Sequence, residues 1–249
     1  LLFFIISCQS STETSFHNLS EAFSSWYYKF HPIEATRFGI SKHHDAFRLS
    51  NNSQNDEYVA DISRFIIELS QIDPTKLSLR NRIDYDILYS KLEQMKFIMN
   101  DLRPWEWNPL WVLMEIYEGL FLISEIQEIK MEDRVQGVEG RIKLIPKLLD
   151  DSREMMISHS SQHLLHGNVV IDNIIKIINK IPLKLNSDNL TLDEIDKSIN
   201  KSKKSLLEHR KWLNQKYAKM TPIQFPVDLK FLDHAFSHFV GQKYFRFRK

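Results

Sequence analysis

Apolar residues recur at helical spacing along most of the chain, and this periodicity predicts a fold built from helices. One predicted helix carries Tyr58, Ile62 and Phe65 on a single face and stops before Asp73-Pro74. A longer stripe begins after a capping serine, Ser78, and extends to Met99. Further stripes cover residues 110–123, 171–178 and 192–217. The pattern predicts an all-α array of about eight to ten helices.

Capping and breaking residues refine these boundaries. Asn18 and Glu21 have the spacing of a capping box, which predicts a helix from Asn18 to Phe30. Gly39 is placed to end the next helix in a left-handed conformation. Pro146 is expected to begin a helix or to kink one, and the residues from Pro182 to Asn189 are expected to form a loop.

Composition narrows the class of protein. The chain has 249 residues, of which 43% are hydrophobic, so it can bury a core in one or two domains. Its 33 basic and 32 acidic residues almost cancel, and nothing in this balance points to nucleic acid as a partner. Neither a Gly-x-Ser-x-Gly motif nor a glycine-rich phosphate loop occurs, so these residues offer no nucleophilic triad and no nucleotide site.

The first residues resemble the end of a lipoprotein signal peptide. An apolar run from Leu1 to Ile6 is followed by Ser7, by Cys8 and then by a polar stretch. We expect residues 1–8 to be the remnant of that signal, incomplete at its front, with Cys8 as the lipidated residue. Residues 9–17 would be a flexible tether and residues 18–249 the helical region. Cys8 would anchor the protein to the membrane of the bacterial cell envelope. The alternative is a lone thiol beside the apolar residues of a truncated core strand.

Five ordered segments carry a resemblance to a known family. Residues 32–39 read Pro, two residues, Ala-Thr-Arg, a hydrophobic residue and Gly, and the segments 82–86, 108–109, 141–149 and 209–213 follow in order. Together they are similar to the bacterial family called domain of unknown function 885 (DUF885). The resemblance covers nearly the whole chain after about residue 16.

This resemblance implies a helical fold, an exported lipoprotein and zinc-dependent peptidase chemistry. Family members look like metallopeptidases whose His-Glu-x-x-x-Gly-His helix lies in a C-terminal half that this chain does not contain. No His-Glu dipeptide occurs in these 249 residues, so no catalytic residue and no zinc ligand is carried over. We expect zinc only in the full-length protein. The expected partners are the C-terminal half of the same protein and a peptide substrate.

Two histidine groups are weak metal candidates on spacing alone. His234 and His238 are spaced i, i+4 on one predicted helix face, but Ala235 stands where a hydrolytic site of this type needs Glu. His159, His163 and His166 also share a face. The simpler interpretations are buried or surface histidines for the first pair and a solvated helix end for the second group.

An aromatic segment supplies the candidate substrate cleft. Trp105, Trp107 and Trp111 flank Asn108-Pro109, and Trp105, Trp107 and Asn108 are the residues that we expect to line a cleft. Core packing at a helix start is the competing interpretation. Two functional hypotheses follow from the sequence. The chain is either the non-catalytic N-terminal portion of a metallopeptidase-like lipoprotein, where it walls the substrate cleft, or a self-sufficient helical binding lipoprotein of the cell envelope.

Overall fold

The computed structural model describes residues 3–48, 51–126, 128–184 and 192–224. Within these ranges the chain forms eight α-helices and no strand, which confirms the all-α prediction. The helices are α1 (Phe3–Phe30), α2 (Pro32–Arg37), α3 (Asn52–Ser70), α4 (Leu79–Phe97), α5 (Leu110–Glu125), α6 (Met131–Met155), α7 (Ser161–Lys184) and α8 (Leu192–Gln215). None of these described helices combines the length and the apolarity needed to cross a membrane.

Two compact units divide these helices. The first contains α1 up to Tyr27, together with Asn55–Arg103, and therefore most of α3 and all of α4. The second contains Tyr28–Gln54 and Pro104–Ile223, and therefore α2 and α5 to α8.

Local signals place several helix ends correctly. The Ser78 hydroxyl accepts a hydrogen bond from the Asn81 N–H and caps α4, as its sequence position predicts. Gly39 follows α2 with φ of 74°, a conformation that other residues rarely adopt because of their Cβ atom. Both ends depend on a single residue type and its immediate neighbours, which is why the sequence alone predicts them.

The front of the chain differs from the predicted flexible tether. Helix α1 starts at Phe3 rather than at Asn18, so residues 9–17 are helical. Phe16 is buried, with its ring centroid 6.2 Å from that of Tyr85. The carboxylate of Glu13 accepts a hydrogen bond from the Ser78 N–H at 2.5 Å, and this bond is the main reason that the Glu13 pKa is lowered. Contacts with α4 and the turn before it, remote in sequence, therefore order this segment.

Aromatic rings join α1 to α3 in the first unit. Phe23 meets Phe65 edge to face at 5.5 Å, and Trp26 stacks on Tyr58 at 5.0 Å. The Trp26 indole N–H also donates to the Asp61 carboxylate at 2.7 Å, so the half-buried ring keeps a partner for its polar atom. This layer fixes the face that α1 turns towards α3.

Four long helices form the body of the second unit. Helix α5 contacts α6 and α7, and α8 contacts the same two helices, which closes a four-helix arrangement. Helices α5 and α7 run in the same direction: a Cβ at Gly167 would lie 3.5 Å from Leu113 and 3.8 Å from Pro109, and further along both helices residues 173–180 line a pocket with residues 117–125. Fully buried aliphatic side chains fill the space between the four helices: Leu113, Ile116, Leu120, Ile123, Val138, Ile142, Ile145, Leu149, Ile171, Ile174, Ile178, Leu206 and Leu213.

Two prolines lie inside helices, Pro146 where the sequence predicts a helix start or a kink and Pro182 where it predicts a loop. Pro146 is within α6, which continues without interruption to Met155. A proline lacks the N–H that would bond the carbonyl four residues earlier, here that of Ile142. The buried Ser202 hydroxyl on α8 donates to this carbonyl at 2.8 Å and replaces the lost bond. Pro182 likewise lies within α7, which continues to Lys184, and residues 185–189 of the predicted loop lie outside the described residues.

Candidate functional site

The segment between α4 and α5 brings the aromatic candidate residues into the second unit. Asn108 lies just before α5, and its side-chain oxygen accepts a hydrogen bond from the Leu110 N–H at 2.9 Å. Its backbone carbonyl also accepts from the Trp111 N–H at 3.0 Å. Asn108 therefore shapes the start of α5 through both its side chain and its backbone.

Trp107 is a packing residue rather than an open cleft wall. Its side chain is buried, and its ring meets that of His163 edge to face at 5.2 Å. The Trp107 carbonyl accepts a hydrogen bond from the Tyr217 hydroxyl at 2.5 Å. Both the ring and the backbone of this residue are therefore used inside the fold.

Trp105 lines a small cavity that also contains a buried ionisable group. The guanidinium carbon of Arg48 lies 4.2 Å from the centroid of the Trp111 ring, and the Arg48 backbone N–H donates to the Glu115 carboxylate at 2.8 Å. The other lining residues are Val112, Leu148, Ser152 and Met155. The enclosed space of about 20 Å³ suits one water-sized group. Trp105 thus faces a pocket that is too small for a peptide side chain.

Glu115 has the chemistry of a proton-binding group. Burial raises its pKa, and this effect outweighs the influence of the Arg48 guanidinium and N–H, which favour the carboxylate. A carboxyl group with a raised pKa can hold or release a proton closer to neutral pH than an exposed one can. The sequence analysis did not select Glu115, because nothing in the sequence distinguishes it from Glu118 and Glu125 on the same apolar helix.

Arg141 is the buried polar centre of the second unit. Its Nε donates to the Ala46 carbonyl at 3.0 Å, and its Nη1 donates to the Gly119 carbonyl at 2.6 Å. Its Nη2 donates to the Thr36 hydroxyl at 2.6 Å and also lies 3.4 Å from the Pro32 carbonyl. Two of the sequence segments that carry the family resemblance, 32–39 and 141–149, therefore meet in space at this guanidinium.

The charge of Arg141 has no carboxylate hydrogen-bonded to it among the bonds of the described residues. Burial lowers its pKa to about 10, while the nearby charges of Glu115 and Asp45 act in the opposite direction. The guanidinium remains protonated at neutral pH and is satisfied by neutral oxygen atoms. A sequence signal was present, since Arg141 occupies an apolar helix face with Val138, Ile142 and Ile145.

A second polar group connects α7 and α8. The fully buried Tyr217 donates to the Trp107 carbonyl and accepts from the Ser160 N–H at 2.8 Å. Nearby, His209 is also fully buried, and its Nδ1 lies 3.4 Å from the Arg153 guanidinium. Burial, followed by the charge of Arg153, lowers the pKa of His209 to about 3, so its ring is neutral at physiological pH.

The histidines at the start of α7 have partners within the fold. The ring Nδ1 of His159 donates to the Met220 carbonyl at 2.6 Å, and the His163 ring Nδ1 lies 2.7 Å from the Ser160 hydroxyl oxygen. In the described ranges, no three His, Cys, Asp or Glu side chains are grouped so that they could hold a metal ion. The described residues therefore do not fit a zinc site.

Three candidate residues lie outside these observations. His234 and His238 fall outside the described residues. Cys8 lies on the backbone of α1, and its side chain is outside what the structure describes. Their predicted roles stay predictions.

Comparison with known proteins assigns the chain to a family without a defined activity. The model of a family described as "Bacterial protein of unknown function (DUF885)" matches residues 32–248, which is well over half of the chain. No curated protein matches the chain.

A solved structure shares the fold. It is described as that of a putative lipoprotein of unknown function from Shewanella oneidensis, and it is 18% identical with a TM-score of 0.74. The similarity covers 90% of this chain and 42% of the other, so the chain spans less than half of that protein's length.

Proposed function

The chain belongs to the bacterial DUF885 family, and from this premise we propose that it is the non-catalytic, helical N-terminal portion of a cell-envelope lipoprotein. In this proposal Cys8 carries the lipid and anchors the protein to a membrane. The complete protein acts as a zinc metallopeptidase, and the helices described above form one wall of its substrate cleft. The description of the Shewanella oneidensis protein as a lipoprotein supports the anchored location.

The single observation that carries the proposal is the use of the family-like segments inside the fold. Thr36 and Arg141 are hydrogen-bonded to each other in a buried position, Asn108 shapes the start of α5, and His209 is fully buried. Groups engaged in this way hold helices in register and are not presented to a substrate.

Zinc content and peptide hydrolysis test the proposal together. The purified 249-residue chain, checked for folding by circular dichroism, is expected to bind no stoichiometric zinc and to leave a mixed peptide library uncleaved. The His234→Ala/His238→Ala double variant serves as a matched control and should behave in the same way. One tightly bound zinc per chain with chelator-sensitive cleavage, lost in the double variant, would overturn the non-catalytic assignment.

Lipidation is tested separately. The native gene product is expected to incorporate labelled palmitate in its bacterial host and to fractionate with membranes, whereas the Cys8→Ser variant should do neither. Equal labelling of both proteins would show that Cys8 is not the lipidated residue.

A self-sufficient binding lipoprotein is the second candidate function. The observation that favours it is a surface groove between α5 and α7, lined by two aromatic rings and two lysines. Binding in that groove does not require the chemistry of any other region.

A further inference from the structure

A surface groove between α5 and α7 is separate from the buried polar groups of the second unit. It is lined by Tyr117, Phe121 and Glu125 of α5 and by Asn173, Lys176, Ile177 and Lys180 of α7. Its volume is about 260 Å³, much larger than that of the cavity beside Trp105. A space of this size can take an amino-acid side chain together with part of a peptide backbone.

The α5 side of the groove is aromatic. Tyr117 and Phe121 are one helical turn apart, and their rings stack at 6.0 Å with an interplanar angle of 10°. Phe121 is 44% exposed although it belongs to the most apolar helix of the second unit. These two rings form a flat apolar surface that could cover an apolar side chain.

The α7 side of the groove is cationic. Lys176 and Lys180 are also one helical turn apart, and both are exposed. Among the ion pairs of the described residues neither lysine has a carboxylate partner, and Asp172, one turn earlier, pairs with Arg210 of α8. Two ammonium groups on one wall favour an anionic group in the groove.

The length of the groove limits the size of its occupant. Tyr117 and Glu125 are eight residues apart on α5, which corresponds to about 12 Å along the helix axis. An extended peptide advances about 3.3 Å per residue, so three to four residues would fill roughly this length. Since α5 and α7 run in the same direction, the two walls follow each other along this stretch, the α5 wall being aromatic at Tyr117 and Phe121 and ending at the exposed carboxylate of Glu125.

We propose that the α5/α7 groove binds the carboxyl-terminal residues of a peptide whose last side chain is aromatic or otherwise apolar. The terminal carboxylate lies between Lys176 and Lys180, and the apolar side chain packs on Tyr117 and Phe121. The proposal rests on the proposed function only for its class of ligand, a peptide. It requires neither zinc nor catalysis by the complete protein.

Calorimetric titration with a defined probe tests this proposal. The probe is acetyl-Ala-Ala-Phe with a free carboxyl group, and its reference is the same peptide as the C-terminal amide. The free acid is expected to bind at least about tenfold more tightly than the amide, and added salt should weaken its binding. Equal affinities for acid and amide, or no binding of either, would overturn the proposal.

Matched variants locate the binding. The Lys176→Glu/Lys180→Glu variant is expected to lose about tenfold or more in affinity for the free acid. Lys197→Glu/Lys201→Glu places the same charge change at the same spacing on exposed positions of α8, and it should bind within about twofold of the unchanged protein. Equal losses in both variants would show an effect of net charge alone and would overturn the assignment.

Two further measurements complete the test. Phe121→Ala is expected to weaken binding of the free acid, whereas Phe38→Ala, at a more exposed phenylalanine outside the groove, should not. Vesicles of phosphatidylglycerol and phosphatidylcholine provide a competing anionic surface. Binding to these vesicles without binding to the peptide would identify a lipid contact and contradict the peptide site. Because every readout is equilibrium binding, these outcomes are separate from the zinc and hydrolysis measurements.

Discussion

In the first unit α1 is held against α3 by the rings of Phe23, Trp26, Tyr58 and Phe65, whereas in the second unit buried polar groups accompany an aliphatic core. The single side chain of Arg141 donates hydrogen bonds to acceptors from three separate stretches of the chain. Aromatic packing depends on area and shape and tolerates small shifts of one helix along another. Directed hydrogen bonds in a dry interior do not tolerate such shifts. We infer that the positions of the helices are fixed more strictly in the second unit than in the first. The family-like segments of the second unit supply the hydrogen bonds that fix them.

The largest expected effect comes from removing the buried guanidinium. Arg141→Ala is expected to lower the free energy of unfolding by about 4 kcal/mol, because it removes the guanidinium bonds to the Ala46 and Gly119 carbonyls and to the Thr36 hydroxyl and opens a cavity. Urea denaturation followed by circular dichroism measures the loss. The control is Arg64→Ala, whose guanidinium is half-exposed and pairs with surface carboxylates, and it should cost less than about 1 kcal/mol. Similar losses in the two variants would contradict the role assigned to Arg141.

The aromatic layer of the first unit is tested by Phe65→Ala. The ring is buried against Phe23 and Trp26, and its loss is expected to cost about 3 kcal/mol through lost apolar burial and a residual cavity. Ile67→Ala removes a side chain that is 59% exposed on the same helix, and it should change stability by about 0.5 kcal/mol or less. The same urea titration compares them, and a Phe65→Ala loss as small as the control's would show that the layer is loosely packed.

A smaller loss is expected from removing one hydroxyl group. Tyr217→Phe leaves the Trp107 carbonyl and the Ser160 N–H without their partner in a buried position, at an expected cost of about 2 kcal/mol. Thermal unfolding of this variant is compared with that of Tyr89→Phe, where the residue is 40% exposed. The control should keep its transition temperature. An unchanged transition in Tyr217→Phe would mean that the two backbone groups find other partners.

The free energy of unfolding is expected to depend on pH through the protonation of His209. Its pKa is about 3 in the folded chain and near 6.5 when unfolded, so folding favours the neutral ring. The stabilisation is complete above about pH 6.5 and is lost as the pH falls towards 3, by up to about 1.4 kcal/mol for each pH unit.

The variant His209→Gln isolates this contribution. Urea titrations of both proteins between about pH 4 and 8 should give a stability difference that shrinks as the pH falls. Taking the difference removes the effect of Glu115, whose raised pKa acts in the opposite direction and lowers stability as the pH rises. Parallel curves for the two proteins would contradict the assignment of a buried, neutral His209.

The sequence predicted those features that a residue and its neighbours determine. Helical periodicity identified the all-α class, Ser78 caps α4, and Gly39 adopts the left-handed conformation expected of it. Helix α1 is longer than predicted because its early turns are ordered by Ser78 and Tyr85, more than 60 positions away. A pattern search over a short window cannot register such contacts.

The candidate site was predictable only in part. The tryptophan segment was selected as a candidate cleft, with core packing as the competing interpretation, and the structure uses Trp107 for packing and encloses only a water-sized space beside Trp105. The acceptors of Arg141 are carbonyl and hydroxyl oxygens between 22 and 109 positions away. Every residue type has a backbone carbonyl, so the sequence does not show which ones accept these bonds. The α5/α7 groove likewise depends on two stretches that are distant in sequence, so neither stretch alone identifies it.

The replacement of a helical bond at Pro146 has a consequence for how the sequence can vary. Because residue 146 is proline, the Ile142 carbonyl has no donor from its own helix, and the Ser202 hydroxyl supplies one. With Ala at 146, the helix would supply its own donor and the carbonyl would no longer depend on Ser202. With Ala at 202 and proline kept at 146, the Ile142 carbonyl would lie between α6 and α8 without a hydrogen-bond donor. Positions 146 and 202 should therefore change as a pair in descendants of this chain, so that a proline without a serine is rarer than either arrangement that satisfies the carbonyl.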